Sequence, residues 1–338
     1  MDSPYSPLEF ELLNAWQRDF PLLSRPFAAV GEKIGVTEGN PRGTGETAVL
    51  ATLARLQRRG AVSRVGAVFA PRRIGASTLA ALAAPPARLE EVAALVSRRP
   101  EVNHNYQREH HYNLWFVATA SDQSRLAETL DAIAAATGCP VMSLPLQEEF
   151  HIDLGFDLAG KDGKAVRAHP CLGNEASPAP PSAEDQALMA ALQPGLELVA
   201  RPFARLAERA GMSETAVLAR IGAWLEAGIV KRFGVVVRHH ELGYRANAMT
   251  VFDVPDDQVS AIGARLARED GVTLCYRRAR HLPEWPYNIY CMVHGRSREE
   301  VLPVIERLCR VAGHPCEALF SLRRFKQCGA RYFGDAAS

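Results

Sequence analysis

The feature that most constrains this chain is that it is written twice. Arg25-Pro26-Phe27-Ala28 returns as Arg201-Pro202-Phe203-Ala204, Glu46–Leu50 (ETAVL) returns as Glu214–Leu218, and Gly60–Gly66 (GAVSRVG) returns as Gly228–Gly234 (GIVKRFG). The offset is 201 − 25 = 176 at the first pair and 228 − 60 = 168 at the last, so the first copy holds an eight-residue insert around GNPRGTG. Further on, Tyr106 matches Tyr276, and Tyr112-Asn113-Leu114 matches Tyr287-Asn288-Ile289, with Leu-Pro-Glu-Trp-Pro added before the second tyrosine. A tandem duplication requires each copy to be a folding unit and makes its twin the nearest cover for any apolar face left open.

Each copy divides once more. Leu8–Arg59 and Glu184–Ala227 have helical spacing (Leu12, Leu13, Trp16; Phe27, Val30, Ile34; Val49, Leu50, Leu53, Leu56), with Gly60 placed as a C-terminal stop. Three short helices followed by an apolar extended run resemble a winged helix-turn-helix. The remainder of the first copy reads as strand 78–84, helix 89–97, strands 102–106 and 112–118, helix 126–136 and strand 141–149. That order is βαββαβ, a ferredoxin-like unit with helices on one sheet face only, so the fold class is α+β and the two sheets are expected to pair as a pseudo-dimer. The expected domains are 8–62 and 184–230 (winged helix-turn-helix), 63–160 and 231–334 (ferredoxin-like), joined by a Pro/Ala/Gly/Ser-rich linker over 161–183.

With Lys+Arg 39 against Asp+Glu 38, the chain lacks the basic excess of a nucleic-acid-coating protein. No run approaches a membrane span, and the N-terminus lacks the basic and apolar regions of a secretory signal, so a cytoplasmic location without membrane contact is expected. The 7 cysteines form no C-x-x-C pair, which argues against a zinc or iron–sulfur site of the protein's own and against a disulfide framework.

The chemistry-bearing stretch is His104–Phe116, HNYQREHHYNLWF. At period two, His104, Tyr106, Arg108 and His110 fall on one side of an extended chain, with Val102 leading in, while His111 points the other way. One strand face thus offers proton donors, an anion binder and aromatic surface. In the second copy Leu274 stands for His104 and Arg280 for His110, with His281 matching His111, so that copy keeps the arginines and aromatics without the two favoured histidines.

At the level of architecture each half resembles the Lrp/AsnC regulators, whose second domain binds amino acids and dimerises. A regulator of that kind, responding to a small ligand or to heme, is the alternative reading. DNA binding is not expected: the helix from Glu46 offers Arg55, Gln57, Arg58 and Arg59, but its counterpart from Glu214 offers Arg220 alone.

The two hairpins, HNYQREHHYNLWF and CYRRARHLPEWPYNIYCMVHG (275–295), are similar to the paired signatures of the siroheme decarboxylases, the NirD/NirL and AhbA/AhbB proteins, joined in one chain as in NirDL fusions. FPLLSRPF (20–27), RVGAVF (64–69), RFGVVVRHHELGYRANAM (232–249) and DVPD (253–256) support the likeness across both halves. The resemblance implies removal of carbon dioxide from the two acetate side chains of siroheme, giving 12,18-didecarboxysiroheme on the route to heme d1 or, elsewhere, heme. It implies no cofactor beyond the iron carried by the substrate. The implied partners are siroheme and its products, other heme d1 biosynthesis proteins and further copies of the chain. A tetrapyrrole carrier without catalysis is a third reading.

A flat, carboxylate-fringed macrocycle needs aromatic walls and arginines at its rim. The expected substrate binders are Arg64, Arg108, Arg232, Arg277, Arg278 and Arg280, with Tyr106, Tyr112, Trp115, Tyr276, Trp285 and Tyr287 as aromatic surface. Loss of carbon dioxide leaves a carbanion that must be protonated, a task for histidine, with His104 and His110 as first choices. His111, His281, His239 and His240 are secondary candidates, as donors or iron ligands. His151, His169, His294 and His314 have no spacing that recommends them, and Arg323, Arg324 and Lys326 read better as a solvated charge run than as a carboxylate site.

Overall fold

The computed structural model describes residues 5–37, 45–152, 181–237 and 246–333. His239, His240 and nearly all of the 161–183 linker lie outside them. The first copy runs α1 (Pro7–Asn14), α2 (Pro26–Thr37), α3 (Glu46–Arg58), β1 (Val62–Phe69), α4 (Pro71–Ile74), β2 (Ala76–Leu82), α5 (Leu89–Ser97), β3 (Val102–Arg108), β4 (Leu114–Ala120), α6 (Gln123–Thr137) and β5 (Met142–Ile152). The second runs α7 (Ala183–Leu192), α8 (Pro202–Ala210), α9 (Glu214–Glu226), β6 (Val230–Val237), β7 (Ala246–Phe252), α10 (Val259–Leu266), β8 (Val272–Arg278), β9 (Ile289–Gly295), α11 (Arg298–Ala312) and β10 (Cys316–Gln327). Among the described residues, no helix is long and apolar enough to cross a membrane.

The duplication is visible in the local chemistry. Helices α6 and α11 each begin on a side-chain cap, Asp122 accepting from the Arg125 amide and Ser297 from the Glu300 amide. Each ends on a glycine in the left-handed region, Gly138 at φ 68 and Gly313 at φ 70. Such an N-cap contributes about 1 kcal/mol to its helix.

The wing strands of the two copies pair with each other. Strands β1 and β6 pair antiparallel as a two-stranded ribbon, Gly66 opposite Gly234. Val65, Ala67, Phe233 and Val235 bury with α1–α3 and α7–α9 in one shared core. The boundaries expected at 63 and 231 lie at the start of the two ribbon strands, whose inward residues share this core. Backbone crowding explains the central glycines, because a Cβ on Gly234 would come 2.5 Å from the Trp16 carbonyl oxygen.

The remaining strands form a closed eight-stranded barrel in the order β10-β3-β4-β2-β5-β8-β9-β7. Two long strands close it. Strand β5 pairs with β2 through residues 142–145 and with β8 through 146–152, while β10 pairs with β7 through 316–320 and with β3 through 321–327. The two sheets are thus stitched at both edges, which leaves the barrel without an open edge strand. Helices α5/α6 and α10/α11 cover the outside over their own cores. The inside is filled by Trp115, Met249, Tyr276, Trp285, Tyr290 and Leu319, among others. Cys309 and Cys316 are disulfide-bonded across the turn from α11 to β10, a local link that the cysteine spacing had not suggested.

Candidate functional site

A cavity of about 520 Å³ lies where the β1/β6 ribbon covers the barrel, within the size range of small-molecule sites. Both copies build its wall with the same residues. From the ribbon come Arg64 and Arg232, from the barrel Arg108 and Arg278, and from the barrel interior Tyr106, Tyr276 and Trp115.

The four guanidiniums are held by backbone. Arg64 donates to the Ala67 carbonyl at 2.9 Å and Arg232 to the Val235 carbonyl at 3.2 Å, the equivalent atom of the other copy. Arg108 donates to Leu319 O at 2.9 Å and Arg278 to Leu144 O at 2.8 Å, again equivalent atoms. Among the described residues, Arg64, Arg108 and Arg278 enter no ion pair, and each has a buried Nε–H without a hydrogen-bond partner. Burial pulls the Arg64 guanidinium below its usual range and brings Arg108 down to about 10, still cationic at neutral pH. Glu149 is the one carboxylate among the described lining residues, and it lies 2.6 Å from Lys231. Positive charge fixed in place without counter-charge is a socket for a polyanion.

Two imidazoles face this socket. His104 stacks on Tyr106 with ring centroids 6.2 Å apart, and its Nδ1 is 2.9 Å from Asn103 Oδ1. Burial, then the charges of Arg64 and Arg324, push it down to about 4, so it is neutral at pH 7. His294, on β9, is likewise held near 4 by burial and by Arg108, with Nδ1 2.8 Å from Thr273 Oγ1. No motif spacing singles out His294, yet it alternates with Tyr290 and Met292, both inside the barrel, and that parity marks it as inward-facing.

The other expected residues are placed elsewhere. Strand β3 ends at Arg108, so His110 lies in the turn and leaves the face that His104 occupies. Its Nδ1 accepts from the Tyr112 amide at 2.9 Å, and its Nε2 is 3.2 Å from Glu317 Oε1. Tyr287 donates to the same carboxylate at 2.7 Å, and its hydroxyl is pushed up to about 12 by burial and by Glu317. Trp285 packs against His110, Tyr112, Trp115 and Tyr287 with centroids 4.8–6.1 Å apart, plugging the barrel interior rather than lining the cavity.

Arg277 and Arg280 point outward to Asp256 and Asp253 of the DVPD run. His111 is exposed and edge-on to Tyr112, and His281 is half exposed, its Nε2 4.0 Å from Glu284. Val102 is also on the wrong side for the period-two reading, because a β-bulge between Val102 and His104 turns Val102 into the helix-side core. In the C-terminal charge run Arg323 pairs with Glu90 and Lys326 donates to the Ser97 carbonyl, whereas Arg324 pairs in register with Tyr106 and its charge reaches His104.

Fold and cavity together define a duplicated protein whose barrel encloses a cavity lined by clustered arginines and aromatic rings. Comparison with known proteins places the chain by family. An AsnC-like ligand binding domain matches residues 73–151 and 241–326, and the siroheme decarboxylase NirDL-like HTH domain matches 9–62 and 185–230. The siroheme decarboxylase NirDL subunit of Paracoccus denitrificans (strain Pd 1222) is 46% identical over 326 residues, covering 96% of each chain. A crystal structure of the siroheme decarboxylase NirDL superposes with a TM-score of 0.70 at 29% identity over 97% of this chain and 95% of that one. A co-complex of NirDL with an iron-uroporphyrin III analogue gives 0.69 at 27% identity over 97% of this chain and 94% of that one. This chain belongs to the siroheme decarboxylase family, in its fused NirDL form.

Proposed function

We propose that the cavity under the β1/β6 ribbon binds siroheme and decarboxylates its two acetate side chains to give 12,18-didecarboxysiroheme, on the route to heme d1. The observation that carries this is the set of buried guanidiniums, Arg64, Arg108 and Arg278, that meet no carboxylate among the described residues. The substrate's own carboxylates supply the missing charge, while Tyr106, Tyr276 and Trp115 flank the macrocycle.

Cleavage of the bond between the acetate methylene and its carboxylate releases carbon dioxide and leaves the electron pair on the methylene carbon, spread into the macrocycle. A proton on that carbon completes a methyl group. His104 delivers it, and His294, the cavity imidazole of the other half, serves the second acetate. Both are neutral before substrate arrives because they are buried and, in second place, because arginines stand beside them. Carboxylates entering beside Arg64 and Arg108 offset those cations and raise the imidazoles, so each takes a proton from solvent when it is needed. The two halves act in this way as an internal pseudo-dimer.

The regulator reading has less support. Arg55 and Arg59, at the end of α3, are drawn onto Glu9 at 3.2 and 2.9 Å, and Arg220 of α9 onto Asp185. Anaerobic incubation with siroheme, read by mass, tests the proposal. A product lighter by two carbon dioxides is expected, and siroheme recovered intact would overturn it.

A further inference from the structure

Each copy contains the same β-bulge, and the bulge residue of each holds the Nδ1 of a cavity histidine. Val102 pairs with Ala118 and His104 with Val117, which leaves Asn103 as the extra residue; Val272 pairs with Val293 and Leu274 with Met292, which leaves Thr273. A bulge re-aims side chains, and here it puts Asn103 and Thr273 on the cavity wall. Asn103 Oδ1 then lies 2.9 Å from Nδ1 of His104, the next residue in the chain. Thr273 Oγ1 lies 2.8 Å from Nδ1 of His294, on the neighbouring strand. The histidines occupy non-equivalent positions, but the residues that grip them are equivalent.

The hydrogen-bond count fixes the sense of one grip. A hydroxyl has one proton, and that of Thr273 goes to the Met292 carbonyl at 3.0 Å. Toward His294 it accepts, so this neutral imidazole carries its proton on Nδ1. Asn103, with its amide oxygen facing Nδ1, imposes the same tautomer on His104.

We propose that Asn103 and Thr273 are positioning residues, which fix the two cavity imidazoles in orientation and in the Nδ1–H tautomer so that Nε2 is the nitrogen that takes up and delivers the proton. The delivery step rests on the siroheme reading above, whereas the tautomer is a property of the free protein. The groups facing His104 are Arg64 from β1, Arg324 from β10 and Tyr106 on its own strand; Arg108 faces His294.

The test is long-range ¹⁵N–¹H NMR of the full chain with ¹⁵N-labelled histidine, the two signals assigned by their loss in His104→Gln and His294→Gln. Both are expected in the Nδ1–H pattern. Thr273→Val and Asn103→Leu should each turn their own histidine into a tautomer mixture and lower kcat about 10–100-fold, the usual size for losing such a partner, with KM within about twofold. Thr273→Ser should restore both readouts. Asn103→Asp, whose carboxylate accepts the same bond, should keep the tautomer and move the His104 titration up by about one pH unit or more. Unchanged tautomers in Thr273→Val and Asn103→Leu would overturn the proposal, as would kcat and KM shifting together without rescue by serine. The tautomer pattern in a wild-type protein that leaves siroheme untouched would instead sink the substrate reading and leave the ring positioning standing.

Discussion

Arg108 and Arg278 are one residue present twice: each ends the first strand of its hairpin, and each gives an Nη1 hydrogen bond to the long strand that closes the barrel, at Leu319 and Leu144. Each also keeps a buried Nε–H without a hydrogen-bond partner among the described residues. The duplication has therefore given the cavity matched guanidiniums on opposite sides. Arg108→Met and Arg278→Met should each weaken siroheme binding about 10–100-fold, from loss of a charge-assisted hydrogen bond worth roughly 1.5–3 kcal/mol. Titration followed by the absorbance of the bound tetrapyrrole measures this. Affinities within twofold of wild type in both variants would remove these arginines from the site.

His104→Ala should leave that binding intact and slow carbon dioxide release with methyl formation by about two to four orders of magnitude, the range for losing a general acid. Single-turnover mass analysis separates the two effects. Wild-type turnover in the variant would move the proton donor elsewhere, with His294 next to examine.

Of the two histidines that the sequence put first, His104 lies on the cavity wall because His104, Tyr106 and Arg108 keep strand parity, and the partner copy repeats the tyrosine and arginine. Parity failed where the backbone departs from a regular strand. The bulge at Asn103 reverses Val102, and the strand end at Arg108 releases His110 to the Tyr112 amide and Glu317. Arg277 was decidable, since it alternates against Tyr276 and Arg278 and must face away from them. Arg280 was not, because its partners Asp253 and Asp256 come from a distant loop. The pairing of the two wings was also hidden, since the apolar pattern of β1 serves pairing with β6 as well as it would a local hairpin.

Stability should depend on pH through the same two imidazoles. His104 and His294 are held near 4 in the folded protein against an ordinary value near 6.5. Between these values the unfolded chain binds more protons than the folded one, so stability is fully present above about pH 6.5 and is lost as pH falls toward 4. The cost is on the order of a few kcal/mol per histidine. Denaturant midpoints of the free protein should fall across that window, and the double variant His104→Gln/His294→Gln should flatten the fall. A midpoint in the wild type that does not change between pH 7 and 4.5 would show that neither ring is held neutral.

Trp285 belongs to a segment present only in the second hairpin, yet it is among the most deeply buried side chains in the molecule. Its Nε1 donates to Tyr290 Oη at 2.7 Å, and its ring meets Trp115, which lines the cavity, at 5.1 Å. The inserted residues thus supply a plug that backs the cavity wall from within the barrel. Trp285→Ala should cost about 3–5 kcal/mol from lost burial and the void left behind. Trp285→Phe keeps most of the volume and loses only the Nε1 donor, which leaves the Tyr290 hydroxyl to find another partner, so its cost should be nearer 1 kcal/mol. Because the arginines are anchored to backbone carbonyls on other strands, siroheme affinity should change less than stability does. Urea unfolding beside a siroheme titration on the two variants checks both parts, and an alanine variant as stable as wild type would mean that the second hairpin does not seal the barrel.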